Sequence, residues 1–143
     1  MIKISHCIFK MKKVYIMRGL PGAGKSTWIK NNTPGAVVCS ADHFFEKSGT
    51  YQFDPTNLGK AHAECFAKFQ KALERGAETI VVDNTNTTKW EFEKYQNLAD
   101  LHGYDVELVK IFDGGLSDED LANRNTHGVP LENIRRMRSR WQE

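Results

Sequence analysis

The pattern G-x-x-x-x-G-K-[ST] is met at every fixed position by Gly19-Leu20-Pro21-Gly22-Ala23-Gly24-Lys25-Ser26. Such a loop works only between a buried strand and the first turn of a helix, so it constrains the fold around it. Both neighbours have the required character: Lys13-Val14-Tyr15-Ile16-Met17 is an apolar run of strand type, and Ser26 to Asn31 can open a helix. Glycines let the backbone curl with its N–H groups turned inward around a phosphate. The helix N-terminus adds its positive dipole end at the same spot. Lys25 then brings a full charge to the β- and γ-phosphates, and the Ser26 hydroxyl can ligate Mg²⁺. Residues Gly19 to Thr27 are therefore expected to bind a nucleoside triphosphate. A dinucleotide fingerprint fits less well, because Thr27 stands where the third glycine of G-x-G-x-x-G belongs. No Asn-Lys-x-Asp segment for guanine recognition follows the loop.

Strand-type apolar runs fall at 13–18, 36–40, 79–83 and 105–112, separated by helical stretches. They are nearly continuous in Val and Ile, which suits strands buried on both faces of a parallel sheet. The expected class is α/β, a three-layer αβα arrangement with a parallel sheet of four to five strands and a small helical lid. At 143 residues this is one domain, at 13–143, behind a short N-terminal extension at 1–12, with Met11 as a possible alternative start. A helix from about Pro55 to Arg75 carries Leu58, Ala61, His62, Cys65, Phe66, Phe69, Ala72 and Leu73 on one face, with Gly76 as its cap. The next opens at Thr87 or Thr88, with Glu91 in its first turns, and stops at Gly103. Two short helices close the chain, one after Ser117-Asp118-Glu119-Asp120 and one from Pro130 to Trp141, with Leu131, Ile134, Met137 and Trp141 facing inward. The irregular stretch from Glu46 to Pro55 reads as an active-site loop.

Loops that follow parallel strands leave the sheet at one edge, where ligands bind. Asp42, the cluster Asp83-Asn84-Thr85-Asn86, and Asp113 all occupy such loops and should converge on the phosphate loop. Asp83 ends an apolar strand and suits Mg²⁺ or its water. Asp42 suits a proton acceptor for an incoming hydroxyl, or an N-cap for the His43-Phe44-Phe45 turn; the two roles are compatible. Arg124 sits where a guanidinium can fold over the triphosphate and neutralise transition-state charge, or form a structural salt bridge. The catalytic set expected is thus Asp42, Lys25 and Arg124, with Ser26 and Asp83 for the metal. His62 lies on an apolar stripe and reads as a core histidine before a catalyst, whereas His127 belongs to a turn of the lid. The formal charge of +2 is too small to advertise nucleic-acid binding. Its distribution is more pointed, because Arg124, Arg135, Arg136, Arg138, Arg140 and His127 face only Glu132, as either a solvated face or a surface for phosphates. Cys7, Cys39 and Cys65 share no CxxC spacing, so free thiols, no zinc site and a cytoplasmic location are expected.

With the loop, Asp42, Asp83-x-Thr85-Asn86, Arg124-Asn125 and Val129-Pro130 in view, the chain resembles the kinase domain of polynucleotide 5′-hydroxyl kinases of the bacteriophage type. More broadly it is similar to the AAA-like ATPases that include polynucleotide-kinase-like domains of larger eukaryotic proteins. The resemblance runs over residues 13–141. It implies a P-loop NTPase fold, ATP as phosphate donor with Mg²⁺, and transfer of the γ-phosphoryl group to the 5′-OH end of RNA or DNA. It also implies Asp42 as general base, Lys25 and Ser26 on the phosphates and metal, and Arg124 as the lid arginine. In the phage enzymes an arginine three residues after the base contacts the acceptor's phosphate, whereas here that position is Phe45, and His127 lies near the place of a second lid arginine. Two alternatives stay open. A small-molecule kinase of this architecture would use Phe44, Phe45, Tyr51 and Phe53 as acceptor-pocket walls, although these rings equally suit stacking on a terminal base. An ATP-binding switch would instead deliver its output to a partner.

Overall fold

Four apolar runs become strands in the computed structural model, which describes residues 11–143. They are β1 Lys13–Gly19, β2 Val37–Cys39, β3 Thr79–Asp83 and β4 Asp105–Phe112. Every pairing is parallel and the order is β2-β3-β1-β4, so the strand that feeds the phosphate loop lies inside the sheet, beside the one ending in Asp83. Six helices cover or cap this sheet: α1 Lys25–Asn32, the single turn α2 Asp42–Phe45, α3 Leu58–Glu74, α4 Lys89–Leu101, α5 Asp118–Arg124 and α6 Leu131–Ser139. Most of the expected N-terminal extension, Cys7 included, lies outside the described residues.

Alternation along β1 explains why the sheet needs two covers. Val14 and Ile16 face one side, where they join Ile80, Val82, and the α3 and α4 residues Cys65, Phe69, Ala72, Phe92, Tyr95 and Ala99. Met17 and Tyr15 face the other side, with Val81, Val109, and Trp28 and Ile29 of α1. Successive strand residues point to opposite faces, so a strand apolar at every position demands helices on both. The three-layer α/β arrangement with four strands is the result. Cys39 and Cys65 are free and buried in the first of these cores, and burial pushes the Cys39 thiol up to about 12. Among the described residues no helix is long and apolar enough to cross a membrane.

Element boundaries shift where local chemistry overrides pattern. The stretch expected to start a helix at Pro55 first makes one 3₁₀ turn, Pro55–Asn57, with the Asp54 carboxylate accepting from the Thr56 N–H, and α3 begins at Leu58. Leu58 consequently leaves the core stripe: it is 41% exposed and lines a cavity. At the start of α4 the Thr88 N–H and hydroxyl both donate to the Glu91 carboxylate, at 3.3 and 2.7 Å.

The lid packs through its own small core, where Leu20 and Ala23 of the phosphate loop meet Leu121 of α5 and Ile134 of α6. It is also tied down by a buried arginine. Arg18 donates to the carbonyls of Asn86, Thr87 and Gln142 and lies between the Phe92 and Trp141 rings, 4.7 and 4.5 Å from their centroids. The β4–α5 turn presses on the loop from the other side. Gly114 has φ +63°, and a Cβ there would lie 2.5 Å from the Ala23 carbonyl oxygen, a backbone atom with little room to yield. Gly114→Ala is therefore expected to destabilise by about 1–3 kcal/mol, combining left-handed strain with that clash. A thermal melt lowered by several degrees checks it, and an unchanged melt would show that the turn relaxes freely.

Candidate active site

The phosphate loop is held open by bonds to both neighbouring strands. Gly19 N–H donates to the Thr85 carbonyl after β3, and Leu20 N–H to the Phe112 carbonyl at the end of β4. Gly22 and Gly24 sit at φ +81° and +113°, conformations that a side chain would strain. Lys25, the first residue of α1, folds back under this arch, and its Nζ donates to the Gly19 and Leu20 carbonyls at 2.7 and 3.2 Å. Burial pulls the Lys25 ammonium below its usual range, and the carboxylates of Asp83 and Asp42 partly offset that. Asp83 shows the mirror effect, with burial raising its carboxyl and Lys25 opposing. Each group thus lacks a full counter-charge in its interior setting, and an anionic phosphate beside Lys25 together with a cation beside Asp83 would supply both.

These groups open onto one cavity of about 730 Å³, a size that suits a nucleotide. Its walls include Gly22, Gly24, Lys25, Ser26 and Thr27 of the loop, Asp42 and Asp83, and Arg124 and His127 of the lid. Arg124 is exposed and makes no ion pair among the described residues, unlike a structural arginine. Ser26 and Asp83 offer a hydroxyl and a carboxylate, the hard oxygen donors that fit Mg²⁺, which keeps several waters and takes its other ligands from phosphates.

Asp42 is placed by the strand tips rather than by its own turn. The Ala41 N–H donates to Asn84 Oδ1 at 2.9 Å, and the Asp42 N–H to Ser40 Oγ at 3.2 Å. Both carboxylate oxygens of Asp42 have partners. The Tyr51 hydroxyl donates to Oδ1 at 3.2 Å, and His127 Nδ1 lies 3.3 Å from Oδ2. His127 Nε2 is also 3.5 Å from Glu46 Oε2, and its ring stacks on Tyr51 with centroids 4.1 Å apart. Burial, followed by the Asp42 charge, pushes the Tyr51 phenol above its usual range, so it stays a proton donor.

Several sequence expectations find different places. Asp113 does not join the cavity: it accepts from Arg138 at 2.8 Å, and that guanidinium holds its carboxyl below the usual carboxylate range. His62 is a wall residue of the cavity, half-buried, and burial lowers its pKa; it is no core histidine. Phe45, Tyr51 and Phe53 line the cavity, but Phe44 turns away under the Lys47 ammonium, 4.5 Å from its ring centroid. Asn86 is buried and ties its side chain to the Met17 carbonyl, so it braces the sheet edge. Two residues of the quoted motifs take positioning roles that the motifs do not specify: Asn84 tethers the Asp42 turn, and the Asn125 amide bridges Leu121, Ala122 and Val129 across the lid turn. Arg18, which ties the sheet to the lid, stands outside those motifs.

Comparison with known proteins identifies the family and the fold. A family model described as an AAA domain matches residues 14–143. NEDD4-binding protein 2 of Homo sapiens is 38% identical over 132 residues, which cover 89% of this chain but 7% of that protein. The chain is thus a small part of the length of that relative. Among solved structures, a chain of the Pnkp1/Rnl/Hen1 RNA repair complex superposes with TM-score 0.63 at 16% identity, covering 92% of this chain and 44% of that one. A gluconokinase from Sinorhizobium meliloti superposes with TM-score 0.57 at 14% identity, covering 94% and 78%. At these identities the two structures speak for the fold alone.

Proposed function

The chain belongs to the AAA domain family, and from that premise we propose that it is an ATP-dependent kinase acting on the 5′-hydroxyl end of RNA or DNA. The observation that carries the proposal is the shared cavity: the phosphate loop, Asp42 and Arg124 face one space. Phosphoryl transfer needs a cradle, positive charge on the transferring group and an aligned nucleophile, with little covalent work from the protein. Main-chain amides from Gly22 to Ser26 and the Lys25 ammonium bind the β- and γ-phosphates. Mg²⁺, held by Ser26 and Asp83, would neutralise charge on those oxygens. Arg124 folds from the lid onto the γ-phosphoryl group. Asp42 accepts a hydrogen bond from the acceptor hydroxyl and takes its proton as the new O–P bond forms and the bond from the γ-phosphorus to the β,γ-bridging oxygen breaks, the electron pair leaving with ADP. For the hydroxyl to arrive, it must share or displace the Tyr51 or His127 contact on that carboxylate. The buried, unpaired thiols of Cys39 and Cys65 suit a reducing, cytoplasmic setting.

Incubation with γ-labelled ATP, Mg²⁺ and 5′-hydroxyl oligonucleotides of RNA and DNA tests the reading. Label is expected at the 5′ end, and a folded, ATP-binding sample that labels neither would remove it. One observation favours a second reading, a small-molecule kinase: the apolar wall formed by Phe45, Phe53, Pro55 and Leu58. Salt separates the two. Acceptor affinity for a nucleic-acid end should fall steeply as salt rises from 50 to 200 mM, and that for a neutral metabolite should not.

A further inference from the structure

Asp42 opens the single turn α2 and Glu46 closes it, the Glu46 N–H donating to the His43 carbonyl. Four residues apart on one helical turn, their carboxylates share a face. His127 reaches that face from the lid, with Nδ1 3.3 Å from Asp42 Oδ2 and Nε2 3.5 Å from Glu46 Oε2. Ionised carboxylates only accept, and a neutral imidazole has one donor nitrogen. Both contacts are therefore satisfied together only by the doubly protonated ring. Tyr51 completes the clasp: its ring stacks on the imidazole with centroids 4.1 Å apart, and its hydroxyl donates to the other Asp42 oxygen at 3.2 Å. An aromatic face against a cation adds attraction of its own.

The lid side of the contact is braced as well. Asn125 Nδ2 donates to the carbonyls of Leu121, Ala122 and Val129, and its Oδ1 accepts from the Val129 N–H at 2.8 Å. Gly128, at φ +68°, lets the chain turn directly after His127. Arg124 lies three residues before His127 on this locked segment and faces the same cavity. Lys25, Asp83 and Arg124 share the cavity with the ring, as do His62, Glu91 and Arg140, while His43 is exposed on α2. Among the described residues only Asp42 and Glu46 lie within ion-pair distance of the His127 nitrogens.

We infer that His127 is a positioning residue that joins the lid to the acceptor side of the site: as an imidazolium between Asp42 and Glu46, it fixes the Asp42 carboxylate relative to Arg124. This inference rests on the kinase reading above. The incoming hydroxyl then takes a remaining lone pair of Asp42 while the bridge stays in place. Glu46, which is no part of the cavity wall, acts only through the ring. Loss of either ring proton sets two acceptors against each other and opens one side of the bridge, so turnover falls as pH rises.

The test measures single-turnover transfer from saturating γ-labelled ATP to a 5′-hydroxyl oligonucleotide, with ATP affinity and a thermal melt on the same samples. His127→Ala should lower the rate about 10- to 100-fold, the effect of one charge-assisted contact, and keep ATP affinity within a few fold. Glu46→Ala should lower the rate less in the wild-type background and not at all in His127→Ala, because the two act as one unit. The wild-type rate should show an alkaline limb, and His127→Arg, charged throughout, should remove that limb and run faster than His127→Ala. His43→Asn, the control for the other imidazole beside Asp42, should keep both rate and limb. Several results overturn the inference and leave the kinase reading standing: an unchanged rate in His127→Ala or Glu46→Ala, additive losses in the double variant, or a fall in ATP affinity that matches the fall in rate. So do failure of His127→Arg to exceed His127→Ala, and an alkaline limb that survives in His127→Arg or vanishes in His43→Asn. A folded, ATP-binding wild type that labels no oligonucleotide overturns both.

Discussion

Titration of Lys25→Ala with ATP in magnesium buffer is expected to give no measurable heat, against clear binding by wild type. Among the described residues Lys25 is the one lysine on the cavity wall, and it is already bent under the loop by the Gly19 and Leu20 carbonyls. Charge-assisted bonds to phosphate contribute about 1.5–3 kcal/mol each, and two of them lost means at least a 100-fold fall in affinity. Alanine also removes the donor from those two carbonyls, which costs stability of its own, about 1–3 kcal/mol. Lys25→Met separates the two effects, since it fills the channel beneath the arch without the charge. If Lys25→Met melts near wild type and still fails to bind ATP, the phosphate role is isolated. Normal ATP binding by either variant would mean that the loop is only a turn, and the whole functional reading would go with it.

What the amino-acid sequence makes legible depends on the range of the interactions involved. The strands were readable because each is a local apolar run, and their alternation of strand and helix dictates a parallel sheet. The loop was readable because eight consecutive residues carry its whole chemistry. Asp42 and Asp83 were placed on the correct edge because strand ends share that edge in a parallel sheet. Asp113 obeyed the same rule and yet turned outward. Arg138, 25 residues further on, captures it, and no local pattern announces a pairing at that separation. The same limit hid Arg18, whose partners lie at Asn86, Thr87 and Gln142. His62 and Leu58 were placed by helical periodicity, which finds the inward side of a helix but does not distinguish a core from the wall of a cavity. The basic end of the chain looked uniform in sequence. Only spatial pairing separates Arg135 and Arg138, which are structural, from Arg124 and Arg140, which face the cavity.

Asp42→Asn is expected to keep ATP affinity within a few fold of wild type and to lower turnover by about 100-fold or more, the usual contribution of a general base. The choice of asparagine matters because Asp42 has two jobs on offer. Its oxygens accept from the Tyr51 hydroxyl and lie against His127, so they also fasten the loop and the lid across the cavity. Asparagine retains the shape and an acceptor oxygen for Tyr51, but it takes up a proton far less readily. Alanine removes both. Equal losses in Asp42→Asn and Asp42→Ala therefore assign the loss to proton acceptance. A near-normal asparagine variant beside a crippled alanine one would assign Asp42 to holding the lid, with the acceptor proton leaving directly to water. Loss of ATP and Mg²⁺ binding together in Asp42→Asn would move the residue to the metal site beside Asp83, whose raised carboxyl pKa already registers the Asp42 charge. Single-turnover rates, with the nucleotide affinity measured on the same samples, distinguish the three cases, because only the first lowers the chemical step while the enzyme remains saturated with ATP.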